Sequence, residues 1–279
     1  MATARLVVLS DLHVGSIYGL WPEGFRTAGG GAYALNPGQA YLWKCWTWTL
    51  DKLRELRPTA VILNGDILDG RQQAQRATEA VTVSITDQQE AAIALLSPLR
   101  EIAPTLFGVQ GSEYHDQTAG EACEAVYKAL GCATYDGPGV GFYGKETLDL
   151  KVGHTIINVS HGISVSGGLY RATAPDREGV WSALAGKEGR TPAAHVVVRS
   201  HAHHWVYVQH PTKHILITPC WQLQTRYMRR LSAYRMLPDI GFVTIEIDTE
   251  VKPSYAEDPV RISRTLFGLP ERRPAALKL

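Results

Sequence analysis

Short apolar runs recur along the chain, and each ends abruptly in polar residues. Arg5–Ser10, Ala60–Asn64, Thr105–Val109, Thr155–Ser160 and His195–Ser200 are rich in β-branched residues and nearly free of internal polar groups. That texture predicts strands buried on both faces of a sheet. The segments between the first three runs have a different period. Tyr41–Leu56 carries Leu42, Cys45, Trp46, Thr49, Leu50, Leu53 and Leu56 at three-to-four spacing, and Pro58 stops it; this is a helix pattern. Ile85–Ile102 predicts a second helix ending before Pro104, and Glu121–Leu130 a third with Gly131 as its C-terminal cap. Beyond about residue 190 the pattern shifts to short strands. Trp205–Gln209, His214–Thr218 and Phe242–Ile247 predict an antiparallel set, with the stretch HPTKH as a turn. The chain is therefore of the α/β (α+β) class.

Two segments carry neither period. Ser16–Gly38 is a long Gly-, Pro- and aromatic-rich loop, and loops of that length in compact domains are usually functional or disordered. Asp258–Leu279 contains Arg261, Arg264, Arg272 and Arg273 and predicts a partly ordered basic tail. No linker divides the rest, so residues 1–257 are expected to form a single domain. A length of 279 residues is enough for a large core, and 45% hydrophobic with 20% charged residues is ordinary for a soluble protein. The net charge of +1 supplies no global field for a polyanion, which would have to be held locally. The start, MATARLVVLSD, is too short in apolar residues for a secretory core, and no membrane-length apolar stretch comes after it. Cys45, Cys123, Cys132 and Cys220 show no paired spacing. Reduced thiols in a cytoplasmic protein that does not enter membranes are the expectation.

The residues suited to chemistry sit just beyond the strands. Asp11 and His13 come after the first, and Gly65-Asp66-Ile67-Leu68-Asp69 after the second. Gly111-Ser112-Glu113-Tyr114-His115-Asp116 comes after the third, His161 after the next, and Ser200-His201-Ala202-His203-His204 after the last. Each piece alone has a bland explanation. An Asp at a strand end often caps a helix, a lone His is commonly a satisfied core residue, and DxH arises by chance. Two imidazoles spaced as HxH point to one face of an extended segment. Together, the carboxylates and imidazoles gather at the C-terminal ends of strands, where open α/β sheets bind ligands. Imidazole with carboxylate and no thiolate is the donor set of Zn, Mn, Fe or a similar borderline cation.

The ordered set DxH, GDxxD, GSEYHD, a lone His and SHAH resembles the calcineurin-like metallophosphoesterase superfamily, whose pattern is DxH, GDxxD, GNH(D/E), a lone His and GHxH. The resemblance spans Asp11 to His203. It implies a two-sheet β-sandwich flanked by helices and a hydrolase that uses two divalent metal ions, Mn, Fe, Zn or Ni. Asp11, His13 and His203 would hold the first ion, Asp66 would bridge both, and His161 and His201 would hold the second. Asp69 would position the catalytic histidine or help to bind phosphate, with Arg71 as a phosphate contact. Paired ions activate water and clamp phosphoryl oxygens, and an imidazole suits protonation of the leaving oxygen.

The third motif departs from the pattern. Counted from Gly111, Ser112 takes the Asn place and Glu113 the His place; counted from His115-Asp116, Tyr114 takes the Asn place. The reading adopted is that Glu113 reaches the second ion, His115 keeps the acid–base role, and a bulged loop absorbs the extra residue. His204 is assigned to the substrate cleft, pointing away from His203. His154, His195, His210 and His214 are expected to be solvated. Trp21, Phe25 and Tyr33 either stack on an aromatic substrate or anchor their loop. Trp221 and Tyr227 near Arg226, Arg229 and Arg230 form either a solvated face or a nucleic-acid groove. The substrate expectation is a small phosphoester, with a nuclease as runner-up and a catalytically degenerate binding module of the same fold as the third reading.

Overall fold

The first apolar run forms β1 (Thr3–Leu9), and its neighbours in space are strands brought from both ends of the chain. The computed structural model describes residues 2–73, 76–116, 121–134, 142–163, 170–231 and 237–269. On one side β1 pairs in parallel with β2 (Ala60–Asn64), which pairs in parallel with β3 (Thr105–Val109) and that with β4 (Gly144–Lys145). On the other side lie two antiparallel strands, β10 (Ile240–Asp248) and β11 (Val260–Phe267), closing a six-stranded sheet. A five-stranded sheet holds β5 (Thr147–Val152), β6 (Thr155–Ser160), β7 (Val196–Arg199), β8 (Val206–His210) and β9 (Lys213–Ile217) in the order β5-β6-β7-β9-β8.

Side chains alternate across each strand, and this divides the core. From the six-stranded sheet, Leu6, Val8, Ile62 and Val109 face inward, and they pack against Ile157, Val159, Val196, Val198 and Leu216 of the other sheet. Their neighbours Val7, Leu9, Val61 and Leu63 face outward and are covered by α1 (Pro37–Leu56), α2 (Ile85–Leu96) and α5 (Glu121–Leu130). The far face of the five-stranded sheet is covered by α6 (Thr173–Lys187), where Gly179 lies so close to Ile215 that a Cβ would come within 2.8 Å. The fold is thus a two-sheet β-sandwich flanked by helices, as the sequence implied.

Several details differ from the sequence reading. The helix expected over Ile85–Ile102 breaks at Ser97-Pro98, leaving α3 (Leu99–Ile102) as a separate turn, because proline has no N–H to continue the ladder. Helix α1 starts at Pro37, inside the expected loop, since Asn36 caps it by accepting from the Gln39 backbone N–H at 3.0 Å. The later strands do not form one antiparallel set. Of the three expected strands only β8 and β9 pair with each other that way; β9 runs parallel to β7, and β10 joins the other sheet, antiparallel to β1 and β11. Strand β6 alternates buried with half-buried residues rather than being buried on both faces. The basic segment from Asp258 begins with the edge strand β11, while Arg272 and Arg273 lie outside the described residues.

Candidate metal centre

The loops after β1 and β2 are zipped together by backbone bonds. Asp11 N–H donates to Gly65 O at 3.0 Å, His13 N–H to Asp66 O at 3.0 Å, and Val14 N–H to Ile67 O at 2.8 Å. From the other sheet, Ser200 N–H donates to His161 O at 3.0 Å. Asp11, His13, Asp66, His201 and His203 all have φ between 47° and 69°. Left-handed backbone is uncommon outside glycine, and such strain clusters where geometry serves a site. Gly65 is needed for a second reason: a Cβ there would lie 2.6 Å from Gly111 Cα and meet the His161 ring.

Two groups of donor atoms meet at Asp11, and a third, His13, Asp69 and His115, adjoins them. In the first, His203 Nε2 lies 3.2 Å from Asp11 Oδ1 and 3.1 Å from His13 Nε2. In the second, His161 Nε2 lies 3.0 Å from Asp66 Oδ2 and 3.8 Å from Asp11 Oδ1, and His201 Nδ1 lies 3.7 Å from Asp66 Oδ2. His161 Nδ1 is 2.8 Å from the Asn64 carbonyl, which can only accept, so Nδ1 carries a proton and Nε2 is the nitrogen turned toward the carboxylates. His13 Nδ1 likewise reaches Asp69 Oδ1 at 3.2 Å and turns Nε2 toward His203. A ligating histidine is commonly oriented by such a partner on its other nitrogen. Beyond these carboxylate–imidazole approaches, Asp11 Oδ1, His161 Nε2 and His201 Nδ1 are buried with no hydrogen-bond partner among the described residues. Buried polar atoms are almost always satisfied, and a divalent cation between these atoms would satisfy all three. The donor set fits borderline metals.

Asp11 is common to both groups, whereas the resemblance gave Asp66 the bridging place. The reason is local. Ser112 donates from its N–H at 2.7 Å and its hydroxyl at 2.9 Å to Asp66 Oδ1, which leaves Oδ2 to face His161 and His201. Burial would raise the Asp11 pKa, but His161 and His203 outweigh it and hold it at about 2. Burial would lower that of His161, but Asp66 and Asp11 push it up to about 10. Asp66 is held well below the carboxylate range, with its burial outweighed chiefly by His161.

The reading of Glu113 is corrected. Glu113 opens the short α4 (Glu113–Asp116) with an exposed side chain and belongs to neither group, because the chain turns into helix there and Ser112 is the residue that faces Asp66. His115 stands at the edge of the cluster. Its ring centroid is 4.5 Å from that of His13, and its Nδ1 is 2.8 Å from the Asp69 carbonyl, so Nε2 is the atom left available. Asp69 is buried, and besides His13 it accepts from Gln72 and, at 3.3 Å, from Gln222. Arg71 is exposed on the following turn. His204 is buried with Nδ1 2.7 Å from Ala202 O and lies in neither group. Ser112 was weighed in the Asn place of the third motif and passed over for Glu113, while Gln72 and Gln222 carried no metal-ligand signal in the sequence, and Gln222 reaches Asp69 only through the fold.

Other expectations resolve as packing. Trp21 is fully buried and packs edge-on against Phe25 at 5.5 Å and Tyr33 at 6.4 Å, which is loop anchoring. Trp221 is a core residue against Trp46, while Tyr227 on α7 (Arg226–Leu231) is exposed. His214 is not solvated: it is buried between Tyr207 Oη at 2.6 Å and Asp258 at 3.0 Å. His195 is half-buried and accepts from Ile156 N–H at 3.0 Å, and His210 pairs with Asp176 at 3.0 Å; His154 is exposed. All four cysteines are buried and free. Among the described residues, no helix is long and apolar enough to cross a membrane.

No protein-family model and no curated protein matches the chain. Solved structures similar to it include Vps29 from Entamoeba histolytica complexed with zinc, at 15% identity and a TM-score of 0.44, covering 95% of this chain and 99% of that one. A novel archaeal phosphodiesterase is similar at 12% identity and a TM-score of 0.42, covering 94% and 99%. A predicted phosphoesterase from Streptococcus pneumoniae is similar at 12% identity and a TM-score of 0.37, covering 95% and 99%.

Proposed function

We propose that this chain is a metal-dependent phosphoesterase that holds two divalent cations, Mn, Fe, Zn or Ni, around Asp11 and hydrolyses phosphomonoesters or phosphodiesters. The observation that carries the reading is the convergence of Asp11 Oδ1, His161 Nε2 and His201 Nδ1 on one region, buried among facing carboxylates and imidazoles. Asp11, His13 and His203 would hold one ion, and Asp11, Asp66, His161 and His201 the other. When bound, such a pair supplies Lewis-acid polarisation of the phosphoryl group and a water acidic enough to act as nucleophile near neutral pH.

The chain's own residues supply the rest. Ser112 fixes the rotation of Asp66. Asp69 sets the tautomer of His13 by accepting its Nδ1–H, and its carbonyl accepts the Nδ1–H of His115. In its protonated form His115 donates from Nε2 to the departing ester oxygen. A partly open edge is required there, and the His115 side chain retains 18% of its exposure while Asp11 and Asp66 have almost none.

The test is a screen of aryl phosphate mono- and diesters with protein reconstituted in Mn, Ni, Zn or Mg, comparing parent with His115→Ala. The expected result is turnover in the parent and a kcat about 10²–10⁴-fold lower in the variant, with metal content equal by elemental analysis. Equal kcat in both would remove His115 from the reaction. Stoichiometric metal with no turnover on any ester would favour the binding-module reading instead.

A further inference from the structure

We infer that the rim beyond the His13–Asp69–His115 end of the site, built by residues 70–73, residues 76–80 and α7, is a binding shelf for the flanking phosphates of a single-stranded nucleic acid. The inference rests on the phosphoesterase reading and names its substrate class. Two bonded routes tie this surface to the site. In one, Gln72 donates to Asp69, Glu79 N–H donates to Gln72 Oε1 at 3.1 Å, and the buried Glu79 carboxylate holds Arg226 at 3.7 Å. In the other, Gln222 Nε2 reaches Asp69 Oδ1 at 3.3 Å and Ser16 Oγ at 3.5 Å, and Leu223 N–H donates to Tyr18 O at 2.8 Å. Ile17 N–H donates to Glu79 O at 2.8 Å, so the two routes meet in one surface.

Its charge is lopsided. The sequence over 70–80 and 222–231 contains Arg71, Arg76, Arg226, Arg229 and Arg230, and its only carboxylate is Glu79, already engaged by Arg226. All five arginines are exposed, in a chain whose net charge is +1. The surface is also partly pre-set: the Arg229 guanidinium lies 5.1 Å over the Tyr18 ring, which holds it in place. Beside it Tyr227 is 59% exposed, an outward aromatic ring available for stacking. Guanidinium groups next to an outward aromatic ring, continuous with a phosphoester site, match a strand that offers phosphates and base faces together. A small monoester would have no use for charges this far along the surface. Binding should be independent of base sequence, since neither contact reads a base edge.

The test is fluorescence anisotropy of a labelled single-stranded 20-mer on the Mn-reconstituted full chain across a salt series, beside an ester-hydrolysis assay. The expected result is binding whose log–log salt slope becomes shallower by about 2 in Arg71→Gln/Arg229→Gln/Arg230→Gln, since each charge contributes about 0.7. At moderate salt the affinity should fall about tenfold or more, and the corresponding triple Lys variant should keep the slope. Tyr227→Ala should weaken binding without altering the slope. No binding by the parent, or an unchanged slope in the Gln triple variant, overturns the inference. Ester hydrolysis without oligonucleotide binding would do so while leaving the phosphoesterase reading intact; oligonucleotide binding that the Gln variant loses, with no hydrolysis of any ester, would support the shelf and remove the phosphoesterase.

Discussion

At the scale of single residues, the cluster is a set of ionisable groups that tolerate burial only because they answer one another. Asp116 is the exception. It is buried and accepts from the Gly111 N–H and the Cys123 thiol; burial, and then the Asp66 charge, push its pKa up to about 6. A carboxyl raised in the folded state stabilises the fold fully below its unfolded pKa and loses that contribution as pH climbs through the folded value. In chelator-treated protein, the parent should therefore lose roughly 2 kcal/mol relative to Asp116→Asn between pH 4 and pH 7. Urea unfolding of the pair at each pH measures this, and parallel profiles would mean that Asp116 ionises freely. The clustered Asp and His residues were legible in sequence because, although each alone has a bland explanation, all of them recur just beyond strands. Glu113 was misjudged for a physical reason: the residue before it, a serine with no ligand character, engages Asp66 through its backbone N–H as well as its hydroxyl. A one-residue difference in where a helix begins is invisible to residue type.

At the scale of elements, the site depends on how closely the ends of β2 and β3 approach. A Cβ on Gly111 would run into the Asp66 backbone and carboxylate, and Gly65 approaches Gly111 and His161 from the opposite side. Gly111→Ala should cost about 1–3 kcal/mol by overpacking and weaken the cation group containing Asp66 more than the other. Thermal unfolding and metal titration together check this; an unchanged titration would show that the strand ends can relax. Strands β1, β2 and β3 were legible because both of their faces are buried, one under helices and one under the second sheet. Strand β5 and helix α6 were not. β5 alternates with charged residues at a sheet edge, and α6 has no clear apolar stripe, with Trp181 66% and Val180 53% exposed. Edge elements take their structure from neighbours, which local pattern does not record.

At the scale of the whole molecule, the two donor groups that share Asp11 join the sheets. Asp11, His13 and Asp66 follow strands of the six-stranded sheet, while His161, His201 and His203 follow β6 and β7 of the other. Cations shared between them would act as ties across the sandwich, so loading should raise the unfolding temperature as well as enable chemistry. Asp11 is the pivot, being the one residue common to both groups. The most direct measurement is metal stoichiometry after equilibrium dialysis against Mn or Zn, on parent, His203→Ala and Asp11→Asn. Two shared ions require two equivalents per chain in the parent, one in His203→Ala, and essentially none in Asp11→Asn. A parent that retains one equivalent or none, or an Asp11→Asn protein that still holds two, would contradict a paired centre built on Asp11.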